Sequence, residues 1–266
     1  MTGYKMPIFS SGGLLTREMM DWMKNYELAF SLSSFAGYTD GIISGFAIET
    51  EPGLVRVGRG MMKYEDTIIF LPDECIVKIT PKRETQVVRI VLNDMECNHE
   101  FEELQMEITV DTDMTQKRNS IEICRFQLES GARLRTEYAG FEDMNTLHNV
   151  VNLIEATWSA YEEDSIHPRI LQEFAREAQS CQQKTPADLA FLMQITNLHG
   201  RACDRSLIQF YLQEKEIENP TAKDPGDTKR YSNKDIFVQL NRILKNMKHA
   251  PVQPVRRLPE RRRIII

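Results

Sequence analysis

The chain has 266 residues, of which 41% are hydrophobic and 27% charged, a composition typical of a folded globular protein and unlike that of a disordered chain. A net charge of -6 argues against a protein whose whole surface is built to hold nucleic acid or anionic lipid. No stretch approaches the roughly 20 consecutive apolar residues that span a bilayer. The first twenty residues lack the apolar run of a secretory signal, so we expect synthesis and residence in the cytoplasm.

The cysteines predict a reduced protein. They are five in number, an odd count, and lie scattered at positions 75, 97, 124, 181 and 203. Three of them fall in apolar patterns typical of strands. We therefore interpret the thiols as small hydrophobic side chains, not as a disulfide framework.

A first helix is predicted near the amino end. Thr16 can cap it, and Leu15, Met19 and Trp22 recur at helical spacing in an amphipathic segment that extends to about Phe30. Its apolar stripe needs a partner surface. The Ser- and Gly-rich run SSFAGYTDGIISG that follows is interpreted as a connection.

The middle of the chain is rich in strand signals. Segments rich in Val, Ile, Phe or Thr recur from residue 43 to about 138, and they predict a small antiparallel β domain. The segments are FAIET, LVRVG, TIIFL, CIVKIT, TQVVRIVL, LQMEITV and IEICRFQL. In TQVVRIVL one face holds Val88, Ile90 and Leu92, which is wholly apolar, so this strand is expected to be central.

The pattern changes after Gly140, where apolar residues begin to recur in steps of three and four. This period predicts a long amphipathic helix, packed either on its own domain or in a coiled-coil seam with another subunit. The residues are Met144, Leu147, Val151, Ile154, Trp158 and Tyr161.

Four further helices complete the predicted helical half. Pro168 and Pro186 suit the first turns of two of them, and Gly200 ends the second. A third begins near Asp204, and the last spans about residues 236–247 after a polar loop, NPTAKDPGDTKRYSN. The predicted fold class is α+β, with a short helix and antiparallel β module in residues 1–140, an all-helical bundle in 141–250 and an extended basic tail in 251–266.

The tail, PVQPVRRLPERRRIII, has three prolines, five arginines and one glutamate, and it matches no packed element. Its arginines could meet acidic protein surface or phosphate. Either the tail is an extended arm that becomes ordered on a neighbouring subunit, or it is an incidental terminus. The arginines are Arg256, Arg257, Arg261, Arg262 and Arg263.

Few residue patterns suggest a metal or a reaction. His199 and Cys203 stand four apart and Cys97 and His99 two apart, but the set lacks the paired spacing of zinc sites, so buried thiols near surface histidines are the simpler interpretation. The glycine pair of Gly58-Arg59-Gly60 is explained by a turn or bulge. No nucleophile elbow, zincin or phosphate-loop motif occurs. We therefore expect no enzyme and no cofactor, and a hydrolase or transferase would need an unrecognised site.

The segment from Asp188 to Leu212 superficially fits a helix-turn-helix. Arg201, Arg205 and Gln209 would then line up near its second helix and could contact DNA. The common antiparallel helical hairpin is the competing interpretation. A DNA-binding regulator is thus the alternative function.

The stretch from Gly12 to Leu71 resembles the amino-terminal module of baseplate and fibre-proximal proteins in tailed phages and phage-derived contractile particles. The matching features are GGLLTREMMDWM, then DGIISGFAIE, then the hairpin LVRVGRGMMKYEDTIIFLP, in that order. The resemblance covers about a quarter of the chain. It implies docking residues that shape the β module and its turns: Asp40, Gly41, Ser44, Gly45, Gly53, Gly58 and Gly60.

The resemblance implies a structural subunit of a phage-like, contractile tail baseplate. In fibre proteins of this family the amino-terminal module is followed by a long repetitive shaft. In this chain a helical half and a basic tail follow it, which favours an internal baseplate component. Its partners would be other tail proteins and copies of itself, without membrane, nucleic acid or small-molecule substrate. The expected apolar anchors are Met19, Trp22, Trp158 and Tyr161.

Overall fold

The computed structural model describes residues 6–65, 67–97, 102–115, 118–218 and 231–249. These residues combine helices with antiparallel strands, so the predicted mixture of α and β structure is confirmed. The elements are α1 (Arg17–Ser34), β1 (Gly41–Gly45), β2 (Ile48–Glu51), β3 (Leu54–Val57), β4 (Gly60–Tyr64), β5 (Thr67–Leu71), β6 (Cys75–Lys78), β7 (Lys82–Cys97), β8 (Glu102–Asp111), β9 (Ser120–Leu128), a short 3-10 helix (Glu142–Asn145), α2 (Pro168–Ser180), α3 (Pro186–Asn197), α4 (Arg205–Glu218) and α5 (Asn233–His249). Of the helices in the described ranges, none has the length and apolar character needed to cross a bilayer.

In the described ranges the strands form three antiparallel sheets of three strands each, in the orders β1-β4-β5, β2-β3-β6 and β8-β7-β9. The prediction that TQVVRIVL is central is confirmed, because β7 pairs with β8 on one side and with β9 on the other. Val88, Ile90 and Leu92 are buried in the core. Arg89 on the other face is also buried, which the apolar alternation did not indicate.

Two expectations for the first sheets were wrong. The run GIISG is not a connection but forms β1, and the LVRVG to TIIFL segment is not one hairpin, because β3 pairs with β2 and β6 while β4 pairs with β1 and β5. Close contact with neighbouring atoms explains why positions 45 and 60 are glycine. A Cβ on Gly45, whose φ is +81°, would lie 2.4 Å from the carbonyl oxygen of Arg59, and one on Gly60 would lie 2.4 Å from the ring of Phe46. These glycines therefore bring β1 and β4 together inside the fold.

The predicted long helix over residues 144–161 was wrong. After the short 3-10 helix the chain is extended. Its Asn152 forms a single β-bridge with Arg125, and its Trp158 forms one with Ile42. Most residues from 150 to 160 are buried, whereas an amphipathic helix exposes one face. The Asn152 side chain donates to the carbonyl of Met144 at 3.0 Å and to that of Thr146 at 3.2 Å, so it stabilises a non-helical path.

Helices α2, α3 and α4 begin within one residue of their predicted starts, and α5 begins three residues before its predicted start near residue 236. Pro168 and Pro186 occupy first turns, and Thr185 caps α3 in a capping box with Asp188. Helices α2, α3, α4 and α5 pack against one another. Between them lies an aromatic cluster in which the Phe141 ring stacks on that of Phe237 with ring centroids 4.6 Å apart.

One hydrophobic cluster runs through the sheets and the helices, from Ile42 in β1 to Met247 in α5. Cys124, Cys181 and Cys203 are buried free thiols, and Cys75 is a partly exposed one. The Cys97 side chain lies outside the described residues. The boundary near residue 140 stays a prediction, and the tail from residue 251 lies outside the described ranges.

Candidate protein-interaction surface

The surface begins with the amino-terminal helix. Thr16 caps α1, its hydroxyl oxygen accepting from the Met19 backbone N–H at 3.3 Å, so the predicted cap is confirmed. Apolar side chains then recur every three or four residues along one stripe. The stripe consists of Leu15, Met19, Trp22, Met23, Tyr26 and Phe30. Within it the Trp22 and Tyr26 rings stack with centroids 6.2 Å apart.

No residue of α1 is buried. Ten of the eighteen exposed large apolar side chains in the described part of the chain fall within residues 6–30. Phe30 is 64% exposed and Met20 is 56% exposed. The apolar segment also extends before the helix, since Ile8 and Leu14 are more than four-fifths exposed at 83% and 89%. We name residues 6–34 the apolar arm.

The arm is attached to the body at its carboxyl end. The Phe35 ring meets that of Tyr38 edge-on at 5.4 Å, and the Tyr38 ring meets that of Tyr161 at 6.3 Å. The Thr39 N–H donates to the Ala160 carbonyl at 3.0 Å, and the Glu162 N–H donates to the Gly37 carbonyl at 2.8 Å. Phe35 and Tyr38 were not singled out from the sequence, although aromatic residues beside a glycine are a usable signal.

The predicted anchors fall in three places. Met19 and Trp22 lie on the arm, partly exposed, and Tyr161 lies at its root with 51% exposure. Trp158 is 4% exposed, contrary to what an interface anchor requires, because it lies in the extended segment between β1 and Ser165. The tail arginines Arg256, Arg257, Arg261, Arg262 and Arg263 lie outside the described residues.

Trp158 packs beside a histidine with an unusual environment. The Trp158 and His167 rings are 4.8 Å apart, and His167 Nδ1 accepts from the Arg169 N–H at 3.0 Å, which caps α2. Burial, with a smaller contribution from the Arg169 charge, lowers the pKa of His167 to about 3. The imidazole is therefore neutral at physiological pH and acts as a structural acceptor.

The burial of Arg205 argues against the helix-turn-helix interpretation. Arg205 is 3% exposed, and its guanidinium donates to the carbonyls of Asp164 and Tyr231, the Asp164 carboxylate and the Asn233 amide oxygen. Arg201 is exposed and Gln209 partly exposed. The three side chains thus do not share an exposed face, and the expectation that Arg205 can contact DNA was wrong.

Among the described residues no group of three or more His, Cys, Asp or Glu side chains is placed to hold a metal ion. Burial raises the pKa of Cys203 to about 12, so this thiol stays protonated. His99 lies outside the described residues, as does the side chain of Cys97, so the imagined four-residue zinc site falls partly outside them.

No protein-family model matches the chain, and no curated protein matches it. Solved structures similar to it share 10% sequence identity. A crystal structure of TssK gives a TM-score of 0.45 over 94% of this chain and 70% of that one. A chain of the type VI secretion system TssK-TssF-TssG baseplate subcomplex gives 0.44 over 92% and 99%, and one from the type VI secretion baseplate complex gives 0.38 over 91% and 100%. With TM-scores below 0.5, these similarities in fold are coarse.

Proposed function

We propose that this chain is a structural subunit of a phage-like, contractile tail baseplate and that the apolar arm is its docking element. The observation that carries the proposal is the exposure of the arm: α1 has no buried residue although its stripe is apolar. Large apolar patches rimmed by polar residues mark interaction sites on soluble proteins. The resemblance of the stretch from Gly12 to Leu71 to the amino-terminal module of baseplate proteins supports a baseplate as the assembly in question.

The stripe is large enough to hold a neighbour. Full burial of a large apolar side chain contributes roughly 1.5–3 kcal/mol, so three or four such residues would supply much of an interface. Trp22 and Tyr26 add rigid aromatic area, which is enriched among the residues that dominate binding energy. Attachment through Tyr38 and Tyr161 fixes the root of the arm on the body.

The proposed partners are other baseplate proteins and further copies of this chain. Assembly would take place in the cytoplasm of the bacterial host, after which the chain forms part of the particle. The helical half or the arginine tail would make a second contact. This role requires no cofactor and no small-molecule substrate, since apolar burial supplies the binding energy.

Particle assembly tests the proposal. In the producing cell, Met23→Ser, Tyr26→Ser and Phe30→Ser are combined, and a matched variant carries Lys24→Ser and Glu27→Ser in the same helix. We expect the stripe variant to accumulate as a folded chain, shown by circular dichroism, but to be missing from purified tail-like particles. The matched variant should be incorporated.

Two results would contradict the proposal. One is incorporation of the stripe variant at the normal level, measured by quantitative mass spectrometry of the particles. The other is the absence of the unmodified chain from every tail-like particle that the cell makes, seen by electron microscopy.

A further inference from the structure

The apolar stripe of α1 has the form of a surface that packs against another helix. At about 100° of rotation per residue, its members fall within roughly 100° of the helix circumference, which is the width of a face that a neighbouring helix covers. The charged residues Arg17, Asp21 and Lys24 lie on the opposite side of the helix. The stripe is therefore uncharged, while the far side of α1 is suited to water.

The apolar arm has the area that a stable interface needs. Ten large apolar side chains within residues 6–30 have exposed fractions between 43% and 89%. At roughly 100 Å² each, about half of what an aromatic side chain can bury, they present about 1,000 Å². A stable interface buries about 800 Å² on each partner, whereas the largest apolar patch on an ordinary monomer covers about 300–600 Å².

The rest of the described chain offers no surface that matches the arm in size. Its eight exposed large apolar side chains are spread over two strands, two connecting segments and three helices. Leu189 and Met193, one turn apart on α3, are the largest group among them. Within the described residues, a surface of the arm's size therefore occurs only in the arm itself, and a second copy of the chain supplies another.

The stripe matches itself when two α1 helices lie antiparallel. In one register Met19 of one copy faces Trp22 of the other, and Leu15 faces Tyr26, so that each contact occurs twice. Each large ring then meets a smaller aliphatic side chain, a combination that fills a helix interface without voids. All four residues are thus covered at the same time.

Charge also favours the antiparallel arrangement. Glu18, at the edge of the stripe, would lie opposite Asn25 of the other copy and not opposite a like charge. The two arms would leave the pair at opposite ends, with their residues 35 about 44 Å apart at 1.5 Å per residue. Each chain has a net charge of -6, and this separation far exceeds the Debye length of about 8 Å. A parallel pair would instead bring both bodies to the same end.

We propose that two copies of this chain pair through their apolar arms, with the α1 helices antiparallel in this register. The inference rests on the proposed docking role of the arm and names its partner. A closed pair with two-fold symmetry covers both stripes, so it leaves none to recruit a third copy. The unit that enters the particle is then a dimer.

Analytical ultracentrifugation of the purified full chain tests the pairing. At about 50 µM we expect twice the mass of one chain, which is 30.9 kDa. Met23→Ser, Tyr26→Ser and Phe30→Ser combined should give the mass of a monomer. The matched variant with Lys24→Ser and Glu27→Ser should remain a dimer. Thermal unfolding checks the fold of each variant, which these changes should spare because α1 has no buried residue.

Charge pairing tests the register. Leu15→Glu and Tyr26→Lys should each raise the dissociation constant by about a hundredfold, because two apolar contacts are lost in every pair at roughly tenfold each. A chain that carries both changes loses the same contacts but sets opposite charges against each other. It should bind at least about tenfold more tightly than either single variant. In a parallel pair the same double change would set like charges against each other.

The outcomes separate this inference from the docking role itself. A monomer at about 50 µM overturns the pairing, as does a dimer that survives the triple substitution. A mass above that of two chains, or a double variant that binds no better than the single ones, overturns the antiparallel pair. A monomeric chain whose stripe is still required for incorporation into particles would overturn the pairing and leave the docking role in place, on a different protein.

Discussion

Arg205 offers the sharpest test of how the helical half is held together. Its guanidinium joins three parts of the chain, because Asp164 lies in the extended segment before α2, Arg205 begins α4, and Tyr231 and Asn233 lie at the start of α5. Arg205→Met keeps an unbranched, largely aliphatic side chain and removes all four hydrogen bonds. The change should destabilise the fold.

The size of the loss follows from burial. The donor distances are 2.5 Å to the Asp164 carbonyl, 2.7 Å to the Tyr231 carbonyl, 3.0 Å to the Asp164 carboxylate and 2.5 Å to the Asn233 amide. Breaking a buried charged network by removing one partner costs about 3–5 kcal/mol, since the remaining polar groups stay desolvated. At 2–4 °C per kcal/mol for a chain of this size, the melting temperature should fall by roughly 6–20 °C.

The assay is urea unfolding followed by far-ultraviolet circular dichroism, with Arg201→Met as the matched control. Arg201 is exposed and should change the free energy of unfolding by less than about 0.5 kcal/mol. Equal stability of the two variants would refute the reasoning. So would a common loss of DNA affinity without a loss of stability, because that is the result expected of two groove-contacting arginines.

Three further predictions concern single sites. The pKa of His167 is lowered to about 3 in the folded chain, so below the ordinary pKa of 6.5 only the unfolded chain binds a proton there, and acidification from pH 6.5 to 5 should lower the free energy of unfolding by about 1–2 kcal/mol, the lower figure reflecting the partly exposed ring. His167→Asn keeps a cap acceptor but cannot titrate, so a urea midpoint that falls equally in this variant would contradict the prediction. Burial opposes ionisation of Asp188, but hydrogen bonds from Lys215, the Thr185 N–H and Tyr211 lower its pKa overall, so the stability that the carboxylate contributes is present above pH 3.8 and is lost as pH falls through the lower pKa of the folded chain. Asp188→Asn should lower the free energy of unfolding by about 3–5 kcal/mol at pH 7, measured by calorimetry, and a loss below about 1 kcal/mol would contradict the network. Gly45→Ala should lower the free energy of chemical unfolding by about 1–3 kcal/mol more than Gly131→Ala, since both glycines have a φ of +81° but only a Cβ on Gly45 would meet atoms within 4 Å. Equal losses would show that backbone strain alone decides the cost.

The parts of the fold that local chemistry decides could be predicted. Thr16, Pro168 and Pro186 mark helix starts because capping and fixed φ act within one turn. The central place of β7 follows from apolar residues on its buried face. Each of these signals needs only neighbouring residues.

The parts that depend on distant contacts could not be predicted. Steps of three and four between residues 144 and 161 also occur in an extended segment that is buried on nearly all sides, and spacing alone does not separate the two. The burial of Arg205 depends on Asn233, which is 28 residues away along the chain.

The exposed arm also sets the fate of copies that never find a neighbour. An apolar helix without a buried residue, whose Phe30 side chain is 64% exposed, is the kind of segment that chaperones bind and proteases cleave early. Surplus subunits would then be cleared from the cell faster than assembled ones. Under the proposed docking role, the same side chains would keep the amount of this chain in step with that of its neighbours.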